Sequence, residues 1–148
     1  MVHRSALAAL AFLISLTAVG MAATPTEAFS EERFIDMHNA NSGVIDRGFE
    51  RLVWGQGTNR QFERWSRELA RAINREVTWL REHRATPCQR QFVPRMILRG
   101  VEARKAFKAA ARNFDRGTWR TGNRHLDRGW AWTIGHQRVA VRMIETCP

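Results

Sequence analysis

Apolar residues recur along this chain at intervals of three and four positions, which is the spacing of one face of an α-helix. No segment alternates apolar and polar residues in the manner of a half-buried strand. Glycine, proline and capping residues interrupt the pattern and divide it into four segments. The pattern therefore predicts four helices, at about residues 30–54, 58–84, 87–116 and 121–147.

The clearest signals in these segments mark the starts of helices. Thr58 and Gln61 stand at the spacing of a capping box, which satisfies free amides at a helix start. The apolar stripe that follows consists of Phe62, Trp65, Leu69, Ile73, Val77 and Leu80. The start of the third helix has two interpretations: Pro94 kinks a helix that begins at Pro87, or Pro94 opens the main helix after a short turn.

Four long amphipathic segments with short links predict an all-α fold, an antiparallel four-helix bundle. Cys88 stands near the start of the third helix and Cys147 at the end of the fourth. These two ends lie together if the helices are antiparallel, so we expect one disulfide between them. No second Cys or His stands at ligand spacing from either cysteine, so no metal site is expected there.

Three of the glycines within the helical segments share one local pattern and lie on or beside the inward stripes. Gly48, Gly100 and Gly129 each follow an arginine and lie between apolar residues. A glycine inside a helix is unfavourable by about 1 kcal/mol relative to alanine. We therefore expect these glycines to mark close helix contacts, with room for an internal ligand as the alternative.

The first residues of the chain resemble a secretion signal. Arg4 precedes an apolar run from Ala6 to Val19, and small residues follow at Ala22 and Ala23. The apolar run is shorter than a membrane-spanning helix requires. This pattern predicts a cleaved signal peptide over residues 1–23, a single domain over residues 24–148, and a periplasmic or secreted protein.

Positive charge is concentrated in the second half of the chain. Residues 24–88 hold ten Arg and ten acidic residues, whereas residues 89–148 hold thirteen Lys or Arg and four acidic residues. In the third helix the basic face consists of Lys105, Lys108, Arg112 and Arg116. In the fourth helix it consists of Arg124, Arg128, Arg138 and Arg142. If the two helices are neighbours, these rows are expected to merge into one basic surface.

A second apolar stripe runs beside the arginines of the fourth helix. It consists of Trp132, His136, Val139 and Met143. A helix that is apolar on two sides is either buried on both sides or meets a partner. The stripe therefore predicts either packing against the first helix or an exposed strip in which Trp132 contributes to binding.

The basic surface predicts a binding protein for an anionic partner. An envelope polymer or lipid headgroups fit an exported protein better than nucleic acid does. The alternatives are a bundle that holds an apolar ligand or haem near His38 and the stripe glycines, and a periplasmic chaperone-like protein. The sequence contains no catalytic, metal or cofactor motif, so we expect neither an enzyme nor a bound cofactor.

Overall fold

Four helices make up most of the chain from Glu27 to Cys147, which are the residues that the computed structural model describes. They are α1 (Glu31–Val53), α2 (Asn59–Glu82), α3 (Val93–Asp115) and α4 (Trp119–Thr146). The prediction of a mostly helical fold with four packed helices is confirmed. The predicted signal peptide, residues 1–23, lies outside the described residues.

Two short strands that the sequence did not predict pair in parallel. One strand precedes α1 and the other follows α2. In this pair, β1 (Glu27–Ala28) lies beside β2 (His83–Arg84). The amide of Phe29 then donates to the carbonyl of Arg84 at 3.2 Å. Strands of two residues are too short to produce an alternating pattern, so the sequence gives no signal for them. The pair ties the segment before α1 to the end of α2.

The helix starts follow the local capping chemistry. The amide of Gln61 donates to Thr58 Oγ1 at 3.3 Å, and the amide of Thr58 donates to Gln61 Oε1 at 2.8 Å, so the predicted capping box is confirmed. Of the two predicted starts for the third helix, the earlier one is wrong. A 3₁₀ turn at Gln89–Gln91 intervenes, and α3 begins at Val93. Pro94 lies in its first turn, where a missing amide hydrogen breaks no helical bond.

The central helix of the fold is α3, which packs along α2 and along α4, while α1 packs against α2. At the seam between α3 and α4, a large side chain of one helix faces a glycine of the other. The pairs are Phe114 with Gly122, Phe107 with Gly129, and His136 with Gly100. Because both members of each pair recur every seven residues, the same two helix faces stay in contact along the seam.

The predicted close contacts at the stripe glycines are confirmed. A Cβ atom added at Gly48 would lie 2.6 Å from Leu69 Cδ2, and one added at Gly129 would lie 2.7 Å from Phe107 Cε1. Gly100 is packed as tightly against a side chain of α2. Neighbouring side chains therefore fill the space at these glycines, which leaves no room there for a ligand.

The second apolar stripe of α4 is mostly interior. His136, Val139 and Met143 are buried. Val139 and Met143 belong to a core cluster that also holds Phe34 of α1. Trp132 is half-buried and packs against the other core cluster. The interpretation of this stripe as an exposed strip is therefore wrong, because the core takes up three of its four side chains.

The cysteine pair closes the bundle at one end. The sulfur atoms of Cys88 and Cys147 lie at disulfide distance, and their Cα atoms are 5.8 Å apart. Cys147 is itself buried in the core cluster next to this end. Among the described residues, no helix combines the length and hydropathy needed to cross a membrane.

We expect Cys88 and Cys147 to be joined by a disulfide bond in the native protein. Intact mass should be two hydrogens below that of the reduced chain, and peptide mapping should give one linked pair. The bond closes a loop between residues 59 positions apart, so reducing it should lower the free energy of unfolding by about 4 kcal/mol in the chain-entropy account. Two thiols that alkylate in the native protein would contradict the assignment.

Candidate functional site

All eight predicted basic residues are exposed, and they line more than one groove. These residues are Lys105, Lys108, Arg112, Arg116, Arg124, Arg128, Arg138 and Arg142. Lys108 and Arg112 line a groove between α2 and α3. Arg138 and Arg142 line a different groove, between α3 and α4. The basic row of α3 therefore faces both neighbouring helices: Lys108 and Arg112 turn toward α2, whereas Lys105 meets Arg128 of α4.

The groove between α3 and α4, called the α3–α4 groove below, has a volume of about 260 Å³. Its lining consists of Phe92, Arg95, Arg99, Arg138, Val139 and Arg142. Nη1 of Arg99 donates to the carbonyl of Gly135, which holds this guanidinium against α4. None of the described ion pairs involves an arginine of this groove. The groove therefore presents four positive charges that no described carboxylate offsets.

The remaining predicted residues lie nearer the loop between α3 and α4. Lys105 and Arg128 share a shallow depression with Glu102. Nζ of Lys105 donates to Glu102 Oε1 at 2.7 Å, so part of the positive charge is offset there. Arg116 and Arg124 are exposed close to the loop itself. The least compensated part of the basic surface is consequently the α3–α4 groove.

Trp132, the predicted aromatic member of the site, presents only part of its ring to solvent. The rest packs against the core cluster that contains Phe107. The largely exposed apolar side chains of α4 are instead Ile134 and Val141, with exposed fractions of 47% and 49%. Arg138 stands four residues after Ile134 and three before Val141, so all three share one face of the helix.

A buried ionic network, absent from the sequence predictions, lies at the centre of the bundle. Glu76 of α2 is only 1% exposed. Its Oε1 lies 2.8 Å from Nδ1 of His38 on α1 and 2.8 Å from Nε2 of His136 on α4. Nδ1 of His136 lies 2.8 Å from the carbonyl oxygen of Met96 on α3. One carboxylate and two imidazoles thus connect all four helices.

The geometry indicates where the protons of this network lie. The carbonyl of Met96 can only accept, so Nδ1 of His136 donates to it. Nε2 of His136 lies at hydrogen-bond distance from Glu76 Oε1, which accepts when the carboxylate is ionised. Nδ1 of His38 is the second donor to the same carboxylate oxygen. The buried negative charge is therefore matched by donors on both sides, which a buried carboxylate requires.

The surroundings of the network shift the pKa values of Glu76 and His38 in opposite directions. Burial alone would raise the pKa of Glu76, but hydrogen bonds from His136 and His38 and the charges of both rings lower it to about 2. The hydrogen bond to Glu76 raises the pKa of His38 from 6.5, against the opposing effect of burial. Glu76 is therefore an ionised carboxylate at neutral pH.

The sequence contained a signal for this network. Glu76 stands three residues after Ile73 and four before Leu80, so it lies on the apolar stripe of α2, where a charge needs a buried partner. His38, which the sequence analysis placed near an apolar ligand or haem in the alternative function, has a side chain that is 14% exposed and bound to Glu76. No spacing rule connects residues 38, 76 and 136, because three separate helices supply them.

Replacing the carboxylate, Glu76→Gln, is expected to lower the free energy of unfolding by about 3 kcal/mol at neutral pH, because both histidines then face a neutral amide. The matched control is Glu82→Gln, an exposed position on the same helix, with an expected change within about 0.5 kcal/mol. Urea unfolding measures both variants. Equal stabilities would contradict the stabilising role of the network.

The same comparison has a defined pH dependence. The folded pKa of Glu76, about 2, is below its ordinary 4.5, so its contribution is present above pH 4.5 and is lost as pH falls toward 2. The pKa of His38 is raised from 6.5, so its contribution is present below pH 6.5 and is lost as pH rises through the folded pKa. The stability difference between wild type and Glu76→Gln should be largest between pH 4.5 and 6.5. If the stability difference between wild type and Glu76→Gln is the same inside and outside this pH window, the two pKa shifts are assigned wrongly.

The described part of the chain offers no ready-made metal centre. Within residues 27–147, no group of three or more His, Cys, Asp or Glu side chains is arranged to hold a metal ion.

Comparison of the chain with protein-family models, with curated proteins and with solved structures gives no match.

Proposed function

We propose that this chain is an exported binding protein that engages an anionic partner through the basic surface of α3 and α4. In this proposal residues 1–23 are a cleaved signal peptide and residues 24–148 form one domain in the periplasm or outside the cell. The partner is an anionic polymer of the envelope or the headgroups of anionic lipids. Nucleic acid ranks lower as a partner because of the proposed compartment.

The proposal includes an antiparallel order of the four helices, and the contacts along each helix pair support it. Gly48 of α1 lies beside Leu69 of α2, whereas the earlier residue His38 meets the later residue Glu76. The pairs along the α3–α4 seam run in the same reversed order. In this arrangement α3 and α4 lie side by side and present a long groove to solvent.

The observation that carries the proposal is the α3–α4 groove. Four arginines from two helices line it, and its lining contains no carboxylate. Uncompensated like charges in one groove raise the local positive potential and attract anions. Arginine also offers a planar fork of donors that matches phosphate and carboxylate oxygens. Phe92 and Val139 in the same lining provide apolar contact for the body of a ligand.

The exposed face of α4 supports a partner that has both charge and apolar surface. Ile134 and Val141 are exposed on either side of Arg138. An amphipathic helix with arginine and apolar residues on its exposed face suits the headgroup region of a lipid surface or a charged polysaccharide. Binding of this kind releases counterions, so it should weaken steeply as salt increases.

Two other functions have less support. An interior ligand such as haem would need free space and a free histidine, but Leu69 and Phe107 fill the space at the stripe glycines, and His38 is bound to Glu76. A chaperone-like role would need an exposed apolar strip, and Val139 and Met143 of that strip are buried. Both observations favour the anionic partner.

The test is a variant that removes four charges of α4: Arg124→Gln, Arg128→Gln, Arg138→Gln and Arg142→Gln. All four side chains are exposed, so the variant should keep its fold. We expect it to lose most of its binding to anionic vesicles and to an acidic polysaccharide at low salt. Sedimentation with vesicles containing phosphatidylglycerol measures the first and a gel-shift titration the second.

The charge-matched control changes four exposed arginines outside α3 and α4: Arg47, Arg60, Arg81 and Arg84. If the partner engages the proposed surface, this control should retain nearly all of the binding. Equal losses in the two quadruple variants would mean that the protein acts as a diffuse polycation. No binding by the wild type to either probe would also overturn the proposal.

A further inference from the structure

A second basic groove lies between α2 and α3, and none of its lining comes from α4. Its volume is about 490 Å³, and five positively charged side chains contribute to its lining: Arg67, Arg71, Arg104, Lys108 and Arg112. The other lining residues are Ala70 and Asn74, so none is acidic. A volume in this range is typical of sites for small ligands. This α2–α3 groove shares no lining residue with the α3–α4 groove.

Like charges in the α2–α3 groove lie at close helical spacing. Arg67 and Arg71 are four residues apart on α2, and Arg104, Lys108 and Arg112 follow at the same interval on α3. Same-sign pairs at this spacing are unfavourable in a helix. Only Arg67 has a described acidic partner, Glu63 at 2.5 Å, which stands outside the lining of this groove. The free protein therefore holds a repulsion here that a bound anion would relieve.

The two sides of the groove also oppose one another in register. Nη1 of Arg104 donates to Oδ1 of Asn74 at 2.5 Å, which fixes the alignment of α3 with α2. Three residues before Asn74 stands Arg71, and four residues after Arg104 stands Lys108. With the two helices aligned in opposite directions, these two cations come to the same level of the groove.

Arg104 is the positioned member of the set. It is half-buried, and its bond to Asn74 holds the guanidinium in one place. Its Nε is buried and has no hydrogen-bond partner among the described residues. A buried donor without an acceptor is uncommon in native proteins. Because Nε is closed to solvent, a ligand in the groove would meet the terminal nitrogens of this guanidinium, which Asn74 holds in a position suited to recognition of a phosphate oxygen.

We propose that the α2–α3 groove is a binding site for a compact ligand that carries several phosphate groups. Phosphate is favoured over a single carboxylate because cations from two helices converge on one groove, and a chain of linked phosphates places several negative charges within that length. Arg104 binds one phosphate through its terminal guanidinium nitrogens, while Arg71, Lys108 and Arg112 balance the charge of the others. This site is distinct from the α3–α4 groove of the proposed function, because the two grooves share no lining residue.

Calorimetric titration with inorganic triphosphate at low salt tests the proposal. The groove variant carries Arg71→Gln, Lys108→Gln and Arg112→Gln, all at exposed positions, so its fold should persist. We expect its affinity to fall by more than about tenfold, since several charge-assisted hydrogen bonds are lost. The charge-matched control carries Arg47→Gln, Arg60→Gln and Arg81→Gln, which are exposed and line neither the α2–α3 groove nor the α3–α4 groove, and it should bind triphosphate within about threefold of wild type.

Two further measurements make the assignment specific. Arg104→Lys keeps the positive charge but removes the planar guanidinium. The variant should still bind triphosphate more weakly than wild type, whereas a site that recognises charge alone would bind it equally well. Citrate, which carries carboxylates in place of phosphates, should bind more weakly than triphosphate. Circular dichroism confirms that each variant is folded.

Three results would overturn the proposal: no binding of triphosphate to wild type, equal losses in the groove variant and the charge-matched control, or equal affinities for citrate and triphosphate. The vesicle and polysaccharide assays separate this proposal from the proposed function. A groove variant that loses triphosphate but keeps vesicle binding supports two sites. Loss of vesicle binding in the α4 variant, with triphosphate binding unchanged, supports the same division.

Discussion

The structure depends on one buried carboxylate and the donors that neutralise it. A charge in the interior of a bundle is strongly unfavourable unless it is paired and hydrogen-bonded. Glu76 meets this requirement only while His38 of α1 and His136 of α4 both reach its Oε1, and His136 in turn needs the carbonyl of Met96 on α3. Apolar contacts tolerate sliding of one helix along another, but these bonds do not. The network therefore sets the register of all four helices at one level of the bundle.

The packing around the network makes this arrangement possible. Because position 100 has no side chain, the ring of His136 comes close to α3, where its Nδ1 reaches the carbonyl one turn earlier. Along the same seam Gly129 admits the ring of Phe107, so a large residue faces a small one at each level. The disulfide-distance pair Cys88 and Cys147 closes the seam at its end. Shape complementarity, the buried charge and the cysteine pair thus all favour the same alignment of α3 with α4.

Signals within single helices predicted much of this fold. The rest depends on contacts between residues that are far apart in the sequence. The capping box at Thr58 and the stripe of α2 depend on residues within one helix, so the sequence alone revealed them. The cysteine pair followed from helix order. The partners of Glu76 were not predictable in the same way, because no local spacing relates three helices.

The basic rows were correctly expected to be exposed, but their division between two grooves depends on how α3 is rotated between α2 and α4. Trp132 was ambiguous for a related reason, since a half-buried ring and an exposed one leave the same pattern.

A charge-paired centre lies inside the bundle, and basic side chains line the grooves on either side of α3, where the two proposed anion sites lie. The central claim is that Glu76 is an ionised carboxylate held by two histidines. Carbon-13 NMR of the Glu76 side-chain carboxyl, followed during acidification of the folded protein, tests this most directly. The account predicts that the carboxyl signal does not titrate around pH 4.5 and changes only as pH approaches about 2. A titration at or above 4.5, the ordinary value, would mean that the buried group is not held as a carboxylate and would contradict the account.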